Sequence, residues 1–320
     1  MGIIDYSMTI LDKFLNGDQA ALARIISFIE DREEGYQKVL SRLYPLSGKA
    51  LKIGFTGPPG AGKSSLVNNI IKVLACQGKK VGVIAVDPTS PFTGGALLGD
   101  RIRLTDMPID GSVYIRSMAT RGSTGGLAAA TGNVAVALDA FGFEYILIET
   151  VGVGQVELDI IDTCDTVVVI LVPESGDAIQ ALKAGLMEIA DIFAVNKADR
   201  PGSENMIAEL NMILEIKRRN SEWELPVVAT EAINNKNTDD LMTKILSHLD
   251  HIKQTGFFEK HRREQIKRKV YGILEGYVRQ YLEDRILTAA DLDKAVSEIY
   301  DRKSDPFTVS EKLLNLSSLP

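Results

Sequence analysis

The chain has 320 residues, 45% of them hydrophobic and 25% charged, which is ample for a full core and too apolar for a disordered segment. A formal charge of −7 and a pI near 5.2 argue against nucleic acid as the main partner, because a phosphate backbone selects a basic face. No apolar run reaches the length of a membrane span, and "MGIIDYSMTILDKF" at the start has early acidic residues and no long apolar centre, so it does not read as a secretory signal.

The first 46 residues read as a helical lead-in. Asp18 is a plausible N-cap, with Leu22, Ile25, Ile26 and Ile29 following at helical spacing, and a second helix is expected over 33–44, stopped by Pro45. The two cysteines, Cys76 and Cys164, form no Cys-x-x-Cys pair. They read as buried thiols in a reducing compartment, and the chain is expected in the cytoplasm.

From Lys52 the pattern alternates between strand and helix. The strand segments are "LKIGFTG", "KVGVIAVD", "SVYIRSM", "EYILIET", "DTVVVILV", "DIFAVNK" and "LPVVAT", several of them continuous Val- and Ile-rich runs of the kind buried on both faces. Helices are expected over 64–77, 126–141, 155–163, 177–189, 204–220 and 237–254. This alternation predicts an α/β fold, a doubly wound and mostly parallel sheet over 47–255, with ligands bound beyond the carboxyl ends of the strands.

The segment 256–320 shows no strand pattern. Ile266, Val270, Ile273, Leu274, Tyr277, Val278 and Tyr281 lie on one helical stripe, and further helices are expected from Thr288 and from Asp305-Pro306. Such a tail is either a layer on its own domain or a dimerisation arm. The basic residues Lys260, Arg262, Arg263, Lys267, Arg268 and Lys269 read as a solvated face.

The stretch "GFTGPPGAGKSS" places glycine and proline between a strand and a helix, where both are costly. Gly57, Pro58, Pro59, Gly60, Ala61, Gly62, Lys63 and Ser64 fit G-x-x-x-x-G-K-[ST], with Ser65 following. Phosphate oxygens need several backbone N–H donors converging on one point. Glycines let the chain curl that tightly, and the next helix adds its free N–H groups and positive dipole end. Lys63 supplies a point charge to the β- and γ-phosphates, and Ser64 a hydroxyl to Mg²⁺. The loop therefore predicts a bound nucleoside triphosphate.

"AVNKAD" indicates the base. The Asp199 carboxylate at the end of Asn196-Lys197-Ala198-Asp199 can accept two parallel hydrogen bonds from guanine N1–H and the 2-amino group, which adenine lacks there. The Lys197 stem can lie along the base plane, and Thr230, closing "LPVVAT", joins the nucleotide-binding set. GTP or GDP is the expected nucleotide. Mg²⁺ requires hard oxygen ligands, for which Asp87, Asp100 and Glu149 are the candidates. Gly152, three residues after Glu149, can turn a backbone N–H toward a γ-phosphate.

"GPPGAGKSSL", "AVDPTSPFTGGALLGDRIRL", "RSMATRGSTGGLA", "IETVGVGQVE" and "AVNKAD" resemble the methylmalonyl-CoA mutase-associated GTPases, the MeaB family, whose older descriptions speak of a lysine/arginine/ornithine transport ATPase or kinase. The resemblance runs from about Tyr36 to Leu249, with "MATRGSTGGLA" and "ETVGVGQ" its most specific parts. It implies a GTPase chaperone that gates adenosylcobalamin delivery to an acyl-CoA mutase and protects that enzyme, and a homodimer through the C-terminal helices. By matching position it places Lys63, Ser64, Asp87, Asp100 and Glu149 at the Mg²⁺-phosphate site and Asn196, Lys197 and Asp199 at guanine. It also implies switches at "GGALLGDRIR", at "ETVGVGQVE" and at "PESGDAIQALKAG", the last with Asp177 and Lys183 as partner contacts.

Small signalling GTPases carry glutamine directly after the switch glycine, where this chain has Val153. Gln155 is two residues further along, and Arg101 and Arg103 are candidates to stabilise transition-state charge. The expectation is slow intrinsic hydrolysis that rises when a partner reorders the switches. Two other classes stay open. A nickel or cobalt metallochaperone GTPase would need Cys or His clusters, for which only His248 and His251, spaced i, i+3 and expected to be exposed, offer a start. A transport-linked P-loop kinase or ATPase would use ATP, against the reading of Asp199.

Overall fold

The computed structural model describes residues 3–87, 111–119, 126–150, 159–173, 185–217, 223–285 and 289–316. The chain divides into two compact units, Met1–Arg262 and Arg263–Pro320.

The first unit opens with helices α1 (Ile3–Leu15), α2 (Gln19–Glu30) and α3 (Tyr36–Leu43), then a 3-10 turn over Tyr44–Leu46. Asp18 caps α2 as its sequence position suggests, its carboxylate accepting the Ala21 N–H at 3.0 Å. The next helix begins at Tyr36, not at residue 33, because Gly35 before it holds a left-handed backbone with φ of 90°.

Strand β1 (Leu51–Thr56) leads into α4 (Lys63–Cys76), and β2 (Val81–Asp87) and β3 (Val113–Ala119) follow. Next come α5 (Gly126–Phe141), β4 (Tyr145–Glu149), a 3-10 turn over Asp159–Asp162 and β5 (Thr166–Leu171). Then follow α6 (Leu186–Ile189), β6 (Ile192–Asn196), α7 (Ser203–Lys217), β7 (Val227–Thr230) and α8 (Thr238–Gln254). Each of the seven segments read as strands from their Val- and Ile-rich runs forms one.

Two expected helices are described only in part: within 155–163, Asp159–Asp162 forms a 3-10 turn, and within 177–189, Leu186–Ile189 forms α6, entered through Gly185 with φ of 77°, while 155–158 and 177–184 lie outside the described residues. A left-handed residue cannot sit inside an α-helix, so Gly185 sets a boundary that the apolar spacing hides.

The described strands form one parallel sheet in the order β3-β2-β4-β1-β5-β6-β7. After β1 the chain builds one side through β2 and β3, returns with β4 beside β1, and then builds the other side. In parallel sheets of this kind such a reversal marks the place, beyond the carboxyl edge, where ligands bind.

Both faces are covered. Leu22, Ile26 and Ile29 of α2 pack with Val134 and Leu138 of α5 over one face, and Phe14 meets Phe141 edge to face at 5.1 Å. Leu66 and Ile70 of α4 pack with Leu241 and Ile245 of α8 over the other, against Ile53, Phe55, Val168 and Ile170. Each such fully buried aliphatic side chain contributes roughly 1.5–3 kcal/mol by leaving water.

Helix α9 (Phe257–Arg285) begins in the first unit and continues into the second, which also holds α10 (Ala289–Tyr300) and α11 (Pro306–Leu316). Asp305 caps α11, accepting the N–H groups of Phe307 and Thr308. In this unit Ala295 and Val309 are buried, whereas Ile266, Val270, Ile273, Leu274, Tyr277, Val278 and Tyr281 on the α9 stripe stay about half exposed. Among the described residues no helix is long and apolar enough to cross a membrane.

Candidate nucleotide site

The glycine-rich loop occupies the turn from β1 to α4. Gly57 has φ of 141°, and a Cβ there would lie 2.0 Å from the carbonyl oxygen of Ile170, so no other residue fits against the neighbouring strand. Gly62 has φ of 86°, and a Cβ there would lie 2.3 Å from Nδ2 of Asn196. Gly60, also left-handed, meets nothing within 4 Å. The loop is thus pressed against the sheet at two glycines and open at the third.

Lys63 is the first residue of α4 and is buried. Its Nζ donates to the carbonyls of Gly57 at 2.9 Å and Pro58 at 3.0 Å, so the ammonium sits inside the curl of the loop. The Ser64 hydroxyl donates to Oε1 of Glu149 at 2.6 Å. Strand pairing brings them together: β4 lies beside β1 with Glu149 opposite Phe55, and Ala85 of β2 pairs with Glu149 from the other side. Asp87 ends β2 two residues further on. Thr150, which the sequence reading did not single out, donates to the Thr56 hydroxyl at 2.9 Å and ties the two strand ends together.

The donor set fits Mg²⁺. A hydroxyl and a carboxylate, both hard oxygen ligands, meet at the first turn of a helix that follows a phosphate loop. Among the described residues no group of three or more His, Cys, Asp or Glu could hold a metal ion; Asp100 lies outside them, and of Asp87 only the backbone is described.

The second part of the candidate site is built from the ends of β6 and β7. Asn196 is buried, and its Nδ2 donates to the Ala61 carbonyl at 2.8 Å. Its Oδ1 accepts from Thr230 Oγ1 at 3.3 Å and from Ala232 N at 3.0 Å. One side chain therefore joins the phosphate loop to the end of β7. Lys197 takes a left-handed backbone with φ of 58°, and Ala198 N donates to the Thr230 carbonyl at 3.0 Å. Asp199 is exposed beyond this turn and lies outside α7, so it does not cap that helix.

The structure brings together the loop 57–65, Glu149, Asn196 and Thr230, with Lys197 and Asp199 following β6. Asp100, Arg101, Arg103, Gly152, Val153, Gln155, Asp177 and Lys183 lie outside the described residues, and of Asp87 only the backbone is described.

Three expectations away from the site are corrected. Cys164 is buried, and desolvation pushes its thiol well up, but Cys76 is exposed because it falls on the outer side of the last turn of α4. His248 is buried: its Nδ1 is 2.9 Å from Thr166 Oγ1, its Nε2 is 3.4 Å from Asp191, and its ring lies against Trp223. Desolvation lowers it to about 4. Arg262 is a structural ion pair instead of part of a solvated basic face, donating from two nitrogens to the fully buried Asp165 carboxylate at 2.8 Å.

The family model described as "Methylmalonyl Co-A mutase-associated GTPase MeaB" matches residues 22–290. The chain belongs to the MeaB family. A Pyrococcus abyssi relative, named provisionally as a GTPase, is 45% identical over 308 residues, 95% of each chain. GTPase ArgK of Escherichia coli is 32% identical over 257 residues, 78% of each. The mouse mitochondrial methylmalonic aciduria type A homolog is 31% identical over 304 residues, 88% of this chain and 73% of that protein. The crystal structure of a LAO/AO transport system kinase superposes on this MeaB-family chain with a TM-score of 0.75 over 99% of both chains at 23% identity, a likeness of fold.

Proposed function

We propose that this MeaB-family GTPase is a cytoplasmic chaperone that binds GTP and hydrolyses it to GDP and phosphate. Its client is an adenosylcobalamin-dependent acyl-CoA mutase, whose cofactor loading it gates and whose integrity it protects. The observation that carries the nucleotide half is the Asn196 side chain, which holds the phosphate loop and the β7 end to the N-K-x-D strand. The family and the mouse relative's name support the mutase half.

In this reading Lys63 leaves the carbonyls of Gly57 and Pro58 for the β- and γ-phosphates, a charge-assisted exchange that strengthens both partners. Gly57, Pro58, Pro59, Gly60, Ala61, Gly62 and Ser65 wrap the phosphates with backbone N–H groups. Ser64, Asp87, Asp100 and Glu149 would hold Mg²⁺, which would supply positive charge against the phosphates. Asp199 accepts the guanine N1–H and 2-amino hydrogens, while Lys197 and Thr230 border the base. Gly152 offers an N–H to the γ-phosphate, and Arg103 and Gln155 are the residues proposed to act on the transition state.

Val153 cannot orient water, so hydrolysis is slow until the client docks and the switches reorder. The C-terminal segment 256–320 pairs two copies through the apolar stripe of α9, with 47–255 as the GTPase domain and 1–46 as its helical lead-in. The test is single-turnover GTP hydrolysis with and without a purified cobalamin-dependent acyl-CoA mutase. The proposal expects a slow basal rate that the mutase raises at least about tenfold; equal rates with and without mutase overturn it.

A further inference from the structure

Asn69 is a buried polar residue that the nucleotide reading leaves without a role. It lies six positions after Lys63 on α4, on a face otherwise made of Leu66, Val67, Ile70 and Leu74, and only 9% of it is exposed. Asparagine is a poor helix former, and a buried amide costs free energy unless it is bonded. Its Nδ2 donates to the Ala232 carbonyl at 2.7 Å. The N–H of that same residue donates to Asn196 Oδ1 at 3.0 Å. Ala232 is therefore gripped on both polar groups by two asparagines, one from the N-K-x-D strand and one from the phosphate-loop helix.

Ala232 begins the turn after β7. That turn is closed by Glu231 N to the Lys236 carbonyl at 3.2 Å and Lys236 N to the Glu231 carbonyl at 3.1 Å. Asn235 and Asn237 both take left-handed backbone within or just after it, with φ of 50° and 60°, and Asn237 Nδ2 donates to the Ala229 carbonyl at 2.8 Å. The turn borders the base side: the Thr230 carbonyl at its root accepts the N–H of Ala198, the residue before Asp199, at 3.0 Å.

We infer that Asn69 is a positioning residue for base recognition, holding the 231–236 turn to the phosphate-loop helix so that the phosphate and base grips move as one body. The inference rests on the guanine reading above. Its action runs through Ala232, and it needs no contact with the nucleotide.

The experiment titrates GDP and ADP with Mg²⁺ into the full-length chain and into Asn69→Ala and Asn69→Gln, by competition against a fluorescent GDP. Wild type prefers GDP strongly. Asn69→Ala weakens GDP about tenfold, leaves ADP unchanged and so lowers the preference by the same factor, while Asn69→Gln, which keeps an amide donor, recovers part of the loss. An Asn69→Ala protein that melts earlier but keeps the wild-type preference overturns the inference and leaves only a packing role. A wild type that binds GDP and ADP equally removes the guanine reading itself, a different failure. If Asn69→Ala does not fold, Asn69→Ser, polar but too short to reach Ala232, is measured in its place against the same two outcomes.

Discussion

The two edges of one parallel sheet use charged side chains in opposite ways. At the amino edge the charges end on partners they keep. The Asp139 carboxylate accepts the N–H groups of Gly48, Lys49 and Ala50 at 2.7, 3.1 and 3.1 Å. Asp165 accepts Lys52 N at 2.8 Å and a two-pronged pair from Arg262, whose remaining donors reach the carbonyls of Gly48 and Ala50. The guanidinium also lies 4.1 Å from the Phe258 ring centroid. At the carboxyl edge Lys63 rests on the carbonyls of its own loop and Ser64 on Glu149, contacts that a triphosphate and a hard cation would replace with stronger ones. A buried charge saturated by fixed backbone is a strut. A buried charge resting on exchangeable partners is poised for a ligand.

The largest effect expected from this contrast is at the strut. Arg262→Ala leaves the Asp165 carboxylate buried without its counter-charge and should cost about 3–5 kcal/mol in denaturant unfolding of the first unit. The folded fraction should keep its nucleotide preference. A change of preference with unaltered stability would reverse the assignment of the two edges. Next is Lys63→Ala, which should weaken GTP by about 2 kcal/mol or more, some thirtyfold, while unfolding in the absence of nucleotide moves little. Comparable losses in both measurements would make Lys63 a strut as well.

The smallest effect concerns the polar cluster of Thr166, Asp191, Trp223 and His248. Desolvation raises the Asp191 carboxyl to about 7, against the lowering pull of the Val167 N–H, and lowers His248 to about 4. Between pH 4 and 6.5 the unfolded chain has Asp191 ionised and His248 protonated, while the folded chain has the proton on Asp191 and none on His248. Both states bind one proton, so the pair adds no pH dependence there. His248→Leu removes the histidine half. The folded state then binds the extra proton alone, and stability relative to wild type should fall as pH rises from about 4 to 6.5. Because the difference between the two proteins is the proton that His248 lacks when folded, its slope should be at most about 1.4 kcal/mol per pH unit. A constant difference across that range would show that His248 binds as many protons in the folded chain as in the unfolded one.

The carboxyl edge was more legible than the amino edge because its chemistry is local. The phosphate loop needs adjacent glycines, and N-K-x-D needs four consecutive positions, so both can be seen in short windows. The strands were legible as well, since burial on both faces writes continuous Val and Ile. The struts depend on residues far apart in the chain. Arg262 looked like one of a run of exposed cations because its partner Asp165 stands 97 residues earlier. His248 looked exposed because Thr166 and Trp223, which enclose it, lie on other segments. Asn69 carried a local signal, an amide on an apolar helix face, but not the identity of the carbonyl it holds.

The most direct test of the nucleotide assignment is calorimetric titration of GDP, ADP and XDP with Mg²⁺ into wild type and Asp199→Asn. A carboxylate that pairs with guanine predicts GDP favoured over ADP by about 10⁴ in wild type, with the preference moving to XDP in the variant, since an amide can meet the 2-oxo group that a carboxylate repels. ADP bound as tightly as GDP, or a variant that keeps its preference for GDP, would contradict the account.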